Sequence, residues 1–419
     1  MITFYCALDR DIVVFYISLC DFVRYILTMC EITAKGEATL FEEAKQKFRS
    51  IFGKKAAAAA SAPGRVNLIG EHVDYCEGLV LPVALPFTTI VVGAYNSLEE
   101  CRIHTVLASG EELKTSFPSS SAEPLKPGDP AWANYVKGVL ANFPVAVRGF
   151  DAVIVSDVPM GAGVSSSASL EVAFFTFLES LTGQRTGLVE KAKLCQKAEH
   201  EFPGMPCGIM DQYIVSMGKK DHALLIDCRS LQATQIPLQT DDAVILVINS
   251  NVKHQLTGSE YPLRRAQCQE AAKVLKLPSL REAHSEDLGE LKRLTSDPDV
   301  IKRAKHVVEE IKRTEDAATL LPKKDLEEVG RLFYESHDSL SKLMEVSCPE
   351  LDQLVDIMRS SPGVYGARMT GGGFGGCMIA LVEEKYVEDV KSRVLKEYKG
   401  NPTFFICNPS DGAKILQII

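Results

Sequence analysis

From Thr39 onward apolar residues recur at helical spacing, and Leu40, Ala44, Phe48 and Phe52 predict one amphipathic helix. An alanine run, Ala56 to Ala60, leads into a dense segment from Ser61 to Tyr75 in which Val66, Leu68 and Ile69 interleave with polar residues. That alternation predicts a half-buried segment whose polar groups converge on something. The stretch from Leu79 to Ala94, rich in Val, Leu and Ile, reads as strands. Residues 116–130 carry four prolines among serines and read as a surface loop. Phe150 to Val158 is a further strand closed by Pro159. After the loop Gly161–Ser169 comes a helix whose buried row is Leu170, Phe174, Phe177, Leu178 and Leu181. Strands return at Ala223–Asp227 and Ala243–Ile248, residues 263–345 are mostly helical, and a Gly-rich turn from Gly363 runs into a strand at Cys377–Val382. No repeat is visible. The pattern is α+β in two lobes, with the break between residues 200 and 240.

The 419 residues suit two to three domains, and 46 basic against 55 acidic residues give a net charge of −9. An acidic surface argues against nucleic acid as a partner, although a local Gly-rich loop binds anions whatever the total charge. The twelve cysteines include no CxxC pair and no metal-like cluster, which fits reduced thiols in a cytosolic protein. Residues 1–30 differ from the rest, with six of the 31 aromatics. Their apolar run, Ile12 to Cys20, is nine residues, against about 20 for a spanning helix. The start also lacks the basic residues of a signal peptide. We read residues 1–38 as a dispensable extension and expect no membrane association; an anchor or transit sequence is the alternative.

Five elements carry chemistry. The strand–loop–helix around Gly161, Gly163, Ser165, Ser166 and Ser167 suits an anion, because glycines admit a close ligand and helix N–H groups face it; plain helix capping is the other reading. It is not a Walker loop, and protein-kinase signatures are absent. In Thr370–Gly376, Gly371, Gly373 and Gly376 satisfy GxGxxG, but a strand follows where a Rossmann unit needs a helix. Close approach to a ligand or to a facing loop is the expected use. Asp211 falls near a helix N-terminus, where its charge is stabilised, as a catalytic or a merely capping group. Glu199 extends the inward row Leu188, Ala192, Cys195, and a carboxylate on an apolar stripe needs a cation or a buried Arg. Arg65, Asn67, Glu71, His72 and Asp74 crowd into one segment whose mix suits the hydroxyls of a sugar; for His72 a structural role weighs equally.

Ser61–Tyr75, Pro159–Ser169 and Gly366–Gly376 resemble the three signature motifs of the GHMP small-molecule kinases, and GRVNLIGEHVDY is similar to the first motif of their galactokinase branch. GMPCGIMDQ and NSNVKHQLTGSEYPLRR resemble animal-type members. The resemblance runs from about residue 40 to the C-terminus and leaves residues 1–38 unmatched. It implies a two-lobed fold with a mixed-sheet N-terminal lobe (39–205, completed by a strand near 400–419), a helix-rich α+β C-terminal lobe (206–399), and a site in the cleft. It implies ATP-dependent phosphorylation of the anomeric hydroxyl of α-D-galactose, with Mg²⁺, by a cytoplasmic monomer. By motif, Arg65, Glu71, His72, Asp74, Gly208, Asp211 and Tyr261 match sugar-contacting positions, with Asp211 as the proposed base and Arg65 the cation beside it. Gly161, Gly163, Ser165 and Ser166 match the ATP phosphate loop, Trp132 and Tyr135 the edge of the adenine pocket, and Ser167 and Glu199 the Mg²⁺ ligands.

The chain departs from the family pattern at Val73, Cys76, Ala131, Ala162, Lys253 and Lys342–Met344. Cys76 also occurs in N-acetylgalactosamine kinases, which makes that activity the runner-up. A non-catalytic galactose and ATP sensor is the other alternative, set against by the intact Ser167-Ala168 pair.

Overall fold

The computed structural model describes residues 2–8, 11–17, 30–106, 111–238, 242–252 and 260–418. Strands β1 (Ile2–Leu8) and β2 (Asp11–Ile17) pair antiparallel with each other. Helix α1 (Glu37–Phe52) follows, burying Leu40, Ala44 and Phe48 as its spacing predicts.

Six strands make the first sheet, in the order β15–β3–β5–β8–β6–β7. They are β3 (Ala58–Asn67), β5 (Pro82–Tyr95), β6 (Glu100–Val106), β7 (Glu112–Pro118), β8 (Phe150–Ser156) and β15 (Lys414–Ile415). All neighbours run antiparallel except β6 and β8, which are parallel, so the sheet is mixed. Alternation along each strand serves both faces. Ile90, Val92, Val153 and Val155 pack under α1. Val91, Ala152 and Ile154 pack with Phe174 and Phe177 of α3 (Ser166–Thr182) on the other side. The alanines of β3, being small, let α3 approach closely. Helices α2 (Ala133–Asn142) and α4 (Leu188–Glu201) flank α3.

A second sheet has the order β12–β13–β11–β14, from Val364–Met369, Cys377–Glu383, Ala243–Asn249 and Thr403–Cys407. Helices α6 (Glu260–Val274), α7 (Asp287–Leu294), α8 (Pro298–Leu320), α9 (Leu326–Ser339), α10 (Pro349–Arg359) and α11 (Val387–Glu397) belong to this part. Helix α5 (Met210–Met217) packs on β3, β5, α3 and α4, and a small sheet, β10–β9–β4, from Ala233–Pro237, His222–Asp227 and Leu79–Val80, packs against β5 through β9.

Several expectations need correction. Segment 61–73 is buried throughout rather than half-buried, because β3 is an inner strand and the loop after it passes under α8. The 116–130 loop starts only after Pro118, since Ser116 and Phe117 pair with Arg102 and Cys101. Strand β12 was not anticipated. Leu188 is 47% exposed at the first position of α4, and the inward row begins at Ala192. The C-terminal region divides between the sheets, β14 joining the second and β15 the first. Residues 30–35, counted with the extension, are tied to the body: Ile32 N–H donates to Phe404 O at 2.9 Å, and Glu31 pairs with the buried Lys391 at 2.9 Å.

Candidate active site

Strand β3 aims Arg65 at the first turn of α5. Its Nε and Nη2 donate to Oδ1 and Oδ2 of Asp211, each at 2.7 Å, and Nη1 donates to the carbonyl of Gly163 at 2.6 Å. One guanidinium therefore joins the 161–169 loop to the carboxylate, and the fork geometry fixes both. The Ser165 hydroxyl adds a third donor to Asp211, at Oδ2. Ser165 takes φ 57°, a left-handed conformation that turns its side chain toward α5.

Beyond Asp211 opens a cavity lined by Arg65, Glu71, His72, Asp74, Gly208, Asp211 and Tyr261, the whole set predicted to contact a sugar. Glu71 is buried; its Oε1 accepts from Gly371 N–H at 3.1 Å and Thr370 Oγ1 at 3.2 Å, and Arg368 pairs with Oε2. His72 places Nε2 3.1 Å from the Gly372 carbonyl and Nδ1 2.9 Å from the Tyr75 hydroxyl, so it is both a bonded structural histidine and part of the wall. Rings of His72, Tyr75 and Tyr261 pack with centroids 5.3–5.9 Å apart. Asp74 is pushed up to about 6, chiefly by burial and then by the charge of Asp211. Gly208 abuts it: a Cβ there would lie 1.6 Å from Asp74 Oδ2, so any side chain at 208 displaces the Asp74 carboxylate.

A second cavity is mainly apolar. Trp132 and Tyr135 of the α2 region, Ile154, Val158 and Leu170 line it together with Ser166 and Ser167. Ser167 lines both cavities and so marks their junction. Gly161 and Gly163 have φ 70° and 74° with open space where a side chain would stand, leaving the loop backbone accessible. The Gly-rich turn packs on this loop: a Cβ on Gly371 would meet Gly163 O at 2.9 Å, and one on Gly376 would meet Ala162 O at 3.0 Å. Gly371 and Gly376 thus serve the approach to the facing loop, while Gly371 and Gly372 also line the first cavity.

Ser167 and Glu199 meet at the junction. Burial, then the charge of Asp211, raises the Glu199 carboxyl to about 7. Asp211, Ser167, Cys207 and Glu171 surround it, with no cation among them. A buried carboxylate without a counter-charge beside a hydroxyl fits Mg²⁺, which needs only one or two protein ligands when phosphates supply the rest. Gln212 holds Glu199 in place, its Nε2 donating to Oε2 at 2.5 Å.

The two cavities thus unite the predicted residues, except that Ser165 turns to Asp211 and Gly161 and Gly163 line neither. Sequence reasoning picked out GMPCGIMDQ but assigned no site role to its Met205, Cys207 and Met210, which line the first cavity, and missed the Glu310–Arg368 network behind Glu71. Of the departures, Ala131 is exposed, Ala162 is buried without a positive φ, and Val73 is core. Cys76 is buried against Cys268. Lys342 points outward to Asp338. Lys253 lies outside the described residues.

Family models match three stretches: the galactokinase galactose-binding signature at residues 46–95, the GHMP kinases N-terminal domain at 134–219 and the GHMP kinases C-terminal region at 317–400. Galactokinases of Canis lupus familiaris and Homo sapiens are each 50% identical over 381 and 382 residues, covering 90% of this chain and 97% of theirs. The solved structure of Lactococcus lactis galactokinase complexed with galactose superposes with TM-score 0.84 at 32% identity, over 89% of this chain and 98% of that one. Methanococcus jannaschii mevalonate kinase shares the fold, with TM-score 0.58 at 21% identity over 84% and 98%.

Proposed function

This chain belongs to the galactokinases of the GHMP kinase family, and from its site geometry we propose that it transfers the γ-phosphoryl group of ATP to the anomeric hydroxyl of α-D-galactose, giving galactose 1-phosphate and ADP. The observation that carries the reading is the junction of the two cavities. Asp211, held by Arg65, faces the polar cavity at the point where Ser167 opens the apolar one.

Galactose occupies the polar cavity, where Glu71 and Asp74 accept from its hydroxyls and Arg65 and His72 complete the wall. Adenine lies against Trp132 and Tyr135 in the apolar cavity. The 161–166 loop and the start of α3 offer backbone N–H groups to the phosphates. Phosphoryl transfer depends on alignment and charge neutralisation more than on covalent help. Asp211 orients the attacking hydroxyl and takes its proton as the O–P bond forms. Arg65 keeps Asp211 in register with that hydroxyl. Oδ2 already accepts from two donors and Oδ1 from one, which leaves Oδ1 the freer oxygen for the sugar. Ser167 and Glu199 would hold Mg²⁺, which when bound neutralises charge on the phosphates.

We assign residues 39–205 with β15 to the N-terminal lobe and 206–407, β14 included, to the C-terminal lobe, with the site in the cleft between them. Because both cavities are complete within one chain, a monomer suffices. Ten described cysteines are free thiols, which supports a reducing, cytoplasmic setting. No helix among the described residues is long and apolar enough to cross a membrane. The N-acetylgalactosamine reading loses its support, since Cys76 faces Cys268 and not the cavity.

An ADP-release assay with ATP and Mg²⁺ across galactose, N-acetylgalactosamine, glucose and mevalonate tests the reading. Preferential turnover of galactose is expected. Saturable galactose binding without turnover would favour a sensor, and preference for another acceptor would reassign the substrate.

A further inference from the structure

Arg368 sits on β12, wholly buried, and touches neither cavity. Its five N–H groups face five acceptors. Nε donates to Ser336 Oγ at 3.1 Å; Nη1 to the carbonyls of Leu68 at 3.0 Å and Asn67 at 3.4 Å; Nη2 to Glu310 Oε1 at 3.5 Å, and Nη2 also forms an ion pair with Glu71 Oε2. Glu310 in turn accepts from Gly70 N–H at 3.0 Å and from Arg313 Nε at 2.8 Å. One guanidinium therefore gathers the backbone before Glu71, the Glu71 carboxylate itself and a second acid on α8.

We propose that Arg368 is a positioning residue for the sugar: it fixes the rotamer of Glu71, so that the carboxylate presents its remaining lone pairs to a galactose hydroxyl, and thereby sets galactose affinity without contacting the sugar. This rests on the reading that Glu71 contacts galactose. The fork is what the geometry uses. A lysine at 368 keeps the charge but has three donors from a single atom and cannot span Leu68 O, Ser336 Oγ and Glu71 together. Glu310 and Arg313 supply a second balanced pair, so no charge in the cluster lacks a partner. With Arg368 absent, the buried Glu71 would turn toward other donors or take up a proton, and both remove it from the sugar.

The test is steady-state kinetics on the full chain with both substrates varied, for Arg368→Lys, Ser336→Ala, Glu71→Gln and the double variant Arg368→Lys/Glu71→Gln, with thermal midpoints measured alongside. Losing a hydrogen bond to a charged group is worth about 10- to 100-fold in binding. Arg368→Lys is therefore expected to raise the KM for galactose by at least about tenfold, with the KM for ATP within about twofold. Ser336→Ala, which removes the Nε acceptor together with the hydroxyl's own bond to Glu310 Oε1 at 2.5 Å and is the gentler change should Arg368→Lys not fold, is expected to raise it several-fold. In the Glu71→Gln background Arg368→Lys should add little, because both act through one contact. A lower midpoint with an unchanged KM for galactose would overturn the proposal and leave Arg368 a stability residue. Fully additive effects in the double variant would overturn it too. An unchanged KM in Glu71→Gln alone would remove the underlying contact, and the proposal with it.

Discussion

Arg65 and Asp211, 146 positions apart, are joined by two parallel bonds of 2.7 Å, Nε to Oδ1 and Nη2 to Oδ2. Arg65 comes from an inner strand of the first sheet, and Asp211 from the short helix that packs on that strand and on β5. Such a fork restrains two side chains at once and leaves the carboxylate with one preferred orientation. Because Arg65 also donates to Gly163 O, any shift of the 161–169 loop is felt at Asp211.

The separate linings of the two cavities lead to separable affinities. Trp132→Ala removes an aromatic wall from the second cavity alone. Base stacking on an aromatic ring is worth about 1–3 kcal/mol, so the KM for ATP should rise about 5- to 100-fold while that for galactose stays within about twofold. Initial-rate measurements with each substrate varied check this; equal effects on both would mean that the cavities are not independent.

Gly208→Ala addresses the opposite wall. The added methyl meets Asp74 Oδ2 at 1.6 Å, and Asp74 is itself confined by Tyr75 N–H at 2.9 Å. Asp74 must move, so galactose binding should weaken by an order of magnitude or more. Calorimetric titration of galactose is the direct check, and unchanged affinity would show that Asp74 does not contact the sugar.

The motif loops were legible because their chemistry is carried by consecutive residues: Arg65 through Asp74, Gly161 through Ser167, and Gly208 with Asp211. The α1 stripe was legible because that helix buries one side, Leu40, Ala44 and Phe48, whereas α3 is buried nearly all round from Ala168 to Glu179 and leaves Leu170 and Leu181 of the expected row only half-buried. Arg368 was not. Its acceptors stand 32 to 301 positions away, and its strand, short and preceded by Gly363 and followed by Gly371, carries no alternation long enough to recognise. Ser165 misled for a different reason. Its place in the loop suggests phosphate, while its left-handed backbone sends the hydroxyl to Asp211. The position of Leu188 was misjudged because a helix's first turn need not share the burial of the turns that follow.

The buried network behind Glu71 also governs acid stability. His306 bonds the Glu71 carbonyl through Nε2 at 3.0 Å and Ser339 Oγ through Nδ1 at 2.8 Å, so Nε2 carries the proton and Nδ1 accepts. Burial lowers His306 to about 4, whereas the unfolded chain protonates near 6.5. The unfolded state therefore binds this proton first, and the stability His306 contributes is lost as pH drops from 6.5 to 4. Burial also pushes Glu310 upward, but Arg313 and Arg368 outweigh it and hold Glu310 at about 2. Its contribution is present above pH 4.5 and is lost as pH falls toward 2. Asp74 and Glu199, raised to about 6 and about 7, act in the opposite sense, so the His306 contribution is read as a difference: the urea midpoint of the wild type relative to His306→Gln should fall as pH drops from 6.5 to 4. An identical profile in the variant would remove His306 from the acid response.

The most direct measurement compares binding and turnover in Asp211→Asn, with calorimetry for galactose and a single-turnover assay for phosphoryl transfer. If Asp211 orients and deprotonates the attacking hydroxyl, galactose affinity stays within about fivefold while transfer slows by about 10²- to 10⁴-fold. Transfer at nearly the wild-type rate would contradict the account and take Asp211 out of the reaction.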